Sequence, residues 1–281
     1  MILVADSGAT KTDWAAIAEN GTCTHLSSMG LNPNYITDPT LLDSEIGNVA
    51  ENSGNADTVR QIFFYGAGCS SDENREKISH LLQKHFPNAK TEVHTDLLGA
   101  CRAVCGTSDG LVGILGTGSN SCVYQNCRIS QNIPSAGYML GDEGSGTYIG
   151  KQLVKQYLTE FLPKDLQQKF EEECHVSRGG IMDTIYRQPC PNKFFASLMP
   201  FVLNHRHEPF VRSITDSCFD DFFQNQILKY RTPLRQIHLV GSVAFLFGPD
   251  ILEMAMSYGY YIGSVLQAPI YGLEKYHSPK N

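Results

Sequence analysis

The chain has a single tryptophan, no CxxC pair, and no apolar run approaching the roughly 20 residues that a membrane-spanning helix needs. The missing run excludes a helical membrane protein. The closest cysteine spacings, Cys101 with Cys105 and Cys122 with Cys127, do not resemble a zinc site, and nine cysteines make an odd count for a disulfide framework. Reduced thiols serving as small core residues are expected. Positive charge is also short, with 22 Lys and Arg against 29 Asp and Glu and a net charge of -7. That balance argues against nucleic acid or an anionic membrane as partner and points to a small-molecule ligand. No low-complexity linker interrupts the chain. Its N-terminus enters directly into an apolar strand, without a charged leader, so a cytoplasmic location is expected.

What is present is the composition of a globular protein, with 42% hydrophobic and 18% charged residues over 281 positions, enough for two lobes. "ILVA" at 2–5 ends at Asp6 and Gly8 and reads as a buried strand running into a tight turn. A second strand follows, and Asn20-Gly21 predicts a type I′ hairpin. "QIFFYGAG" at 61–68 is another buried strand, Ser70 with Glu73 suggests a capping box, and "TEVHTD" returns as a strand before a short helix beside Asp96. At 110–129, "GLVGILGTGSNSCVYQNCRI" repeats the opening grammar of strand, small-residue loop, strand and turn, with Gln125-Asn126 as the turn and Gly118 in the place of Gly8. Helices are predicted near 145–162, 164–174, 193–204 and 214–230, before "RQIHLVGSVAFLF" restores a strand and glycine loop. The alternation implies an α/β protein of two similar lobes.

The loops carry the chemistry. A carboxylate at Asp6 repels phosphate but suits Mg²⁺ or its waters, which bridge phosphate oxygens. Around it, Gly8 and Ala9 offer backbone N–H groups while Thr10, Lys11 and Thr12 offer hydroxyl or ammonium donors. "GTGSN" at 116–120 is a second donor cluster, "GSVAF" from Gly241 puts a close-approach glycine at a strand end, and "GDEGSG" at 141–146 places two carboxylates before a helix. None of these is a Walker A loop or a GxGxxG fingerprint. Asp96 at a helix start is read two ways, as an N-cap or as a carboxylate able to take a hydroxyl proton.

The ordered series DxGxTKT, a lone Asp before a short helix, GTGSN, GDEGS and VGSV resembles the N-acetylglucosamine kinase family. That family is grouped with the BadF/BadG/BcrA/BcrD-type ATPases in the actin-like ATPase and sugar kinase superfamily, and the resemblance runs from residue 2 to about 272. It implies an α/β fold of two ribonuclease-H-like lobes with an interdomain cleft, one lobe over 1–107 with the segment 267–281 packing back on it, the other over 108–266 with helical insertions. It further implies ATP and Mg²⁺ as cofactors and a homodimer.

Carried over by residue, Asp6 matches the metal-associated acid and Asp96 the catalytic base. Gly8, Thr10, Lys11 and Thr12 match the first phosphate loop, Gly116, Thr117, Gly118 and Ser119 the second, and Gly241 with Ser242 the adenosine loop. Asn34, Asn120, Ser135, Ala136 and Asp142 fall at substrate positions. Ser135-Ala136 stands where members that bind N-acetylglucosamine often carry Gly-Trp, which leaves room for a larger substituent such as a lactyl ether. The expected activity is ATP-dependent phosphorylation of N-acetylglucosamine, glucosamine or N-acetylmuramic acid. The alternative is an ATPase of the BadF/BadG type whose nucleotide-driven closure regulates a partner protein.

Overall fold

A strand that is apolar at every position has to be covered on both faces, because successive side chains point to opposite sides. The computed structural model, which describes residues 1–34, 36 and 38–278, shows how the first sheet achieves this. Leu3 and Ala5 of β1 (Ile2–Ser7) enter a core with Trp14 and Phe64, whereas Val4 enters another with Ala15, Tyr65, Ile270 and Leu273. Trp14 is fully buried and donates its Nε1 hydrogen to Ser28 Oγ at 3.0 Å, so it is a core residue.

The chain divides into two compact units. One comprises Met1–Asp109, Gln125–Ile129 and the chain from Ala268 on; the other comprises Gly110–Tyr124 and Ser130–Gln267. In the first unit, β1, β2 (Lys11–Ile17) and β3 (Cys23–Met29) are followed by α1 (Pro39–Asn52), β4 (Gln61–Gly66), α2 (Asp72–His85), β5 (Lys90–Thr95) and α3 (Asp96–Cys105). The second unit starts with β6 (Gly110–Leu115), β7 (Ser119–Gln125) and β8 (Arg128–Ile133). Its helices are α4 (Gly137–Leu140), α5 (Gly146–Leu158), α6 (Lys164–Cys174), α7 (Arg178–Arg187), α8 (Pro191–Ser197), α9 (Met199–Asn204) and α10 (Pro209–Asn225). It closes with β9 (Gln236–Val240), α11 (Ser242–Leu246), α12 (Gly248–Ser257) and β10 (Tyr261–Leu266), and α13 (Ile270–His277) returns to the first unit.

Strand order is β3-β2-β1-β4-β5 in one sheet and, read in the same sense, β8-β7-β6-β9-β10 in the other. In each, the first strand pairs antiparallel with the second and parallel with the fourth. The repeated grammar of the sequence is therefore a repeated topology. Among the described residues, no helix is long and apolar enough to cross a membrane.

Several local expectations need correction. Between β2 and β3 only Gly21 has positive φ (82°), and the Ala18 N–H donates to Thr22 O at 2.8 Å, which is a three-residue loop with a bulge rather than a type I′ pair. The turn after β7 is centred one residue later, on Asn126 and Cys127, with φ of 52° and 59°. Ser71, not Ser70, caps α2, its Oγ accepting from the Asn74 N–H at 3.2 Å. The helix expected over 193–204 is two, divided near Pro200, where a proline has no N–H to continue the ladder. α7 went unread because Gly179-Gly180 at its start blurs the helical period. Only four of the cysteines, 69, 101, 122 and 218, are buried, and Cys127 and Cys190 are exposed.

Candidate active site

Two carboxylates stand at the carboxyl edge of the first sheet. Asp6 is the penultimate residue of β1, and Asp96 immediately follows β5 and opens α3. Register aligns Ser7, Gly66 and Thr95 across β1, β4 and β5, so both acids lie where open α/β sheets place their ligands. Burial, then the charges of Asp96 and Asp13, push the Asp6 carboxyl up to about 8 against the opposing pull of Lys11. Burial also raises Asp96, partly offset by the Leu97 N–H, which donates to Asp96 Oδ1 at 2.9 Å. Asp96 is not the cap of α3. That role belongs to Thr95, whose Oγ1 accepts from the Leu98 N–H at 3.3 Å, and the Asp96 carboxylate sits within the first turn, at the positive end of the helix dipole.

The turn from β1 to β2 is less open than its composition suggests. The Gly8 N–H donates to Lys11 O at 2.9 Å and closes the turn, so it is not available to a ligand. Thr12 is corrected too. It is fully buried, its hydroxyl donates to Met29 O at 2.8 Å and lies 2.8 Å from Ser7 Oγ, which makes it a core fastener rather than a phosphate donor. Thr10 and Lys11 are exposed, and Lys11 Nζ lies 2.7 Å from Asp13 Oδ1. Asn34 is exposed, and its Oδ1 accepts from Asn74 Nδ2 at 2.8 Å.

In the second unit the matching turn is closed by the Gly116 N–H donating to Gly118 O at 3.0 Å. The start of α5 holds it from behind, with Gly146 N–H donating to Gly116 O at 2.9 Å and Thr147 N–H to Thr117 O at 3.2 Å. Ser119 begins β7 with a buried hydroxyl that has no hydrogen-bond partner, an unusual state for a buried polar atom. The Asp142 carboxylate, on a residue with φ of 61°, lies over Gly118 and accepts a hydrogen bond from Ser135 Oγ. Asn120 Oδ1 accepts from the Ser121 N–H at 2.9 Å and from Asn132 Nδ2 at 3.0 Å. Ala136, beside Ser135, is exposed. Gly241 has φ of 121°, and a Cβ there would lie 2.3 Å from Leu115 O. Ser242, expected in a glycine loop, is the exposed first residue of the short helix α11. The structure thus gathers Gly116 through Ser119, Asp142, Ser135 and Gly241 around one turn of the second unit.

The sequence matches no protein-family model and no curated protein. Among solved structures, a candidate N-acetylglucosamine kinase from Porphyromonas gingivalis is 37% identical over 99% of each chain, with a TM-score of 0.94. The chain belongs to the N-acetylglucosamine kinase family. A second candidate N-acetylglucosamine kinase, from Chromobacterium violaceum, shares the fold at 18% identity over 98% of each chain (TM-score 0.75). So does a ROK family glucokinase from Streptomyces griseus solved with glucose and AMPPNP, at 13% identity over 98% of this chain and 97% of that one (TM-score 0.55). The mixed α/β chain with its two five-stranded sheets matches the fold of these sugar kinases.

Sequence reasoning passed over Asp13 and Ser7. Asp13 pairs directly with Asp6 across the β1–β2 ladder, and Ser7 pairs with Thr12. A signal existed: once Gly8 marks a tight turn, hairpin register places Asp13 opposite Asp6.

Proposed function

We propose that the protein transfers the γ-phosphoryl group of ATP to a hydroxyl of N-acetylglucosamine or a related amino sugar such as glucosamine or N-acetylmuramic acid. Family membership supports the class, an ATP-dependent carbohydrate kinase. One observation carries the chemistry: two acids raised by burial, Asp6 and Asp96, share the carboxyl edge of the first sheet.

Asp96 is the general base. Burial makes its carboxylate a stronger proton acceptor, and the Leu97 N–H fixes one oxygen, so the other is available to take the proton of the sugar hydroxyl. The hydroxyl oxygen then bonds to the γ-phosphorus, the bond to the β–γ bridging oxygen breaks, and ADP leaves. Asp6 fits Mg²⁺: the charges of Asp96 and Asp13 both oppose its ionisation, and a divalent cation relieves that repulsion. The cation supplies charge neutralisation on the phosphates when bound.

Within the first unit, Thr10 and Lys11 are the exposed donors assigned to phosphate. Within the second, the assignment is Thr117 through Ser119 for phosphate, the Gly116 N–H being held by Gly118 O as that of Gly8 is by Lys11 O, with the unpartnered Ser119 hydroxyl as a donor that phosphate oxygen would satisfy, and Gly241 with Ser242 for the nucleoside. Asp142, held by Ser135 Oγ, Asn120 and Asn34 are assigned to sugar hydroxyls, with Ala136 bordering the sugar. A cytoplasmic homodimer belongs to the same reading.

The test is ADP formation from ATP and Mg²⁺ with a panel of hexosamines. Turnover stimulated by at least one N-acetylated amino sugar is expected. Hydrolysis unaffected by any sugar would remove the proposal in favour of a regulatory ATPase.

A further inference from the structure

Cys23 and His25 lie two residues apart on β3, so their side chains leave the same face of the strand. Glu274 of α13 meets them there. His25 Nε2 lies 3.1 Å from Glu274 Oε2 and 3.7 Å from Cys23 Sγ, and one donor atom from each residue falls within 4.8 Å of the others. Tetrahedral zinc with Zn–S near 2.3 Å and Zn–N and Zn–O near 2.1 Å holds its ligand atoms about 3.6 Å apart for S and N and about 3.4 Å for N and O. The two distances from His25, 3.1 Å and 3.7 Å, lie within a few tenths of an ångström of those values. Tyr271, one turn before Glu274 on α13, packs against the His25 ring with centroids 5.3 Å apart, which limits rotation of the imidazole.

We infer that Cys23, His25 and Glu274 bind a thiophilic divalent cation of the zinc class, with solvent completing the coordination. A thiolate and an imidazole select such an ion over Mg²⁺, which takes oxygen ligands. Coordination replaces the thiol proton, which leaves to solvent, while the imidazole binds in its neutral form. The site is separate from the carboxylates at the other end of the sheet. Cys23 pairs with Ile17 and Ile17 with Ile2, four residues from Asp6 along β1, or roughly 13 Å at the rise of a strand. Because β3 is an edge strand and α13 is the segment that returns to the first unit, the bound ion fastens that returning helix to the edge of its sheet. The inference stands whether or not the kinase assignment does.

The experiment is titration of the chelator-treated full chain with Co²⁺, a zinc surrogate whose thiolate complexes give a near-ultraviolet charge-transfer band. One equivalent should produce the band, excess Mg²⁺ should leave it in place, and Zn²⁺ should remove it. Cys23→Ser should abolish it, Glu274→Gln should weaken Co²⁺ binding at least tenfold, and Cys127→Ser, which alters an exposed thiol elsewhere, should leave it intact. Zn²⁺ should raise the thermal midpoint of the wild type and not that of Cys23→Ser. If Cys23→Ser loses the circular dichroism of the folded protein, Glu274→Gln decides by the same band. A wild type without a thiolate band, or a band that persists in Cys23→Ser or at full strength in Glu274→Gln, overturns the inference.

Discussion

The β1–β2 turn and the β6–β7 turn are the same device in two settings. Each follows the central strand of a five-stranded sheet and is closed by a glycine N–H, Gly8 to Lys11 O at 2.9 Å and Gly116 to Gly118 O at 3.0 Å. Their supports differ. The first rests on the buried Ser7–Thr12 hydroxyl pair and on Gly30, where a Cβ would fall 2.6 Å from Gly8 O. The second rests on the first N–H groups of α5 and on Gly241. Their electrostatics differ too, because the first is beside a crowd of acids while the second presents a seryl hydroxyl without a partner. A repeated topology thus fixes where a loop lies, and the residues around it decide what the loop does.

The largest expected effect tests the acidic half of this contrast. Asp96→Asn keeps the shape and removes the base, so kcat for amino-sugar phosphorylation should fall roughly 10²- to 10⁴-fold while the KM for ATP moves little. Undiminished kcat would take Asp96 out of the chemistry.

Asp6 makes a prediction about pH. Its folded pKa of about 8 lies above the ordinary 3.8, so the folded state holds a proton that the unfolded state has released between those values. The contribution of Asp6 to stability should therefore decline as pH rises from about 4 to about 8, opposed below about 6.5 by His277, His94 and His238, whose burial keeps them neutral when the unfolded chain would protonate them. Without Mg²⁺, the thermal midpoint of the wild type relative to that of Asp6→Asn should fall by several degrees over this window, and Asp6→Asn should be the more stable at pH 8. Parallel curves would show that Asp6 ionises freely.

Glycine supports come next. Gly241→Ala combines a left-handed φ with a collision against Leu115 O, a strain of about 1–3 kcal/mol or more, read at roughly 2–4 °C of thermal midpoint per kcal/mol. Gly30→Ala meets a similar collision without that φ, and its loss should be smaller. The reverse order would mean that the first turn is the more rigid.

The last test separates a fastener from a ligand. Thr12→Val should cost about 1–3 kcal/mol of stability by leaving buried partners unpaired, with the KM for ATP unchanged. A tenfold rise in that KM at unaltered stability would return Thr12 to the phosphate contacts.

Much of the fold was legible before any coordinates. Apolar strands covered on both faces, glycines at their ends and the repeat at 110–129 are local patterns, and local patterns survive in sequence. Turn centres and caps slipped by one residue, as at Ser71 and Asn126, because neighbouring polar residues compete for one position with nearly equal energy. Thr12 was misread because a hydroxyl looks the same in sequence whether it faces a ligand or Met29 O. The cluster of Cys23, His25 and Glu274 left only a C-x-H trace, its third member lying at the far end of the chain.

By itself, the sequence determined the strand–loop–strand repeats and put Asp6 and Asp96 at strand ends, since backbone preference and hydrophobic period act over a few residues. Tertiary structure alone decided which donors remain exposed, which acids crowd together to raise Asp6 toward neutrality, and which helix closes on β3. Those outcomes depend on burial and on Coulomb interactions between residues remote in the chain, and such energies exist only once the sheets have assembled.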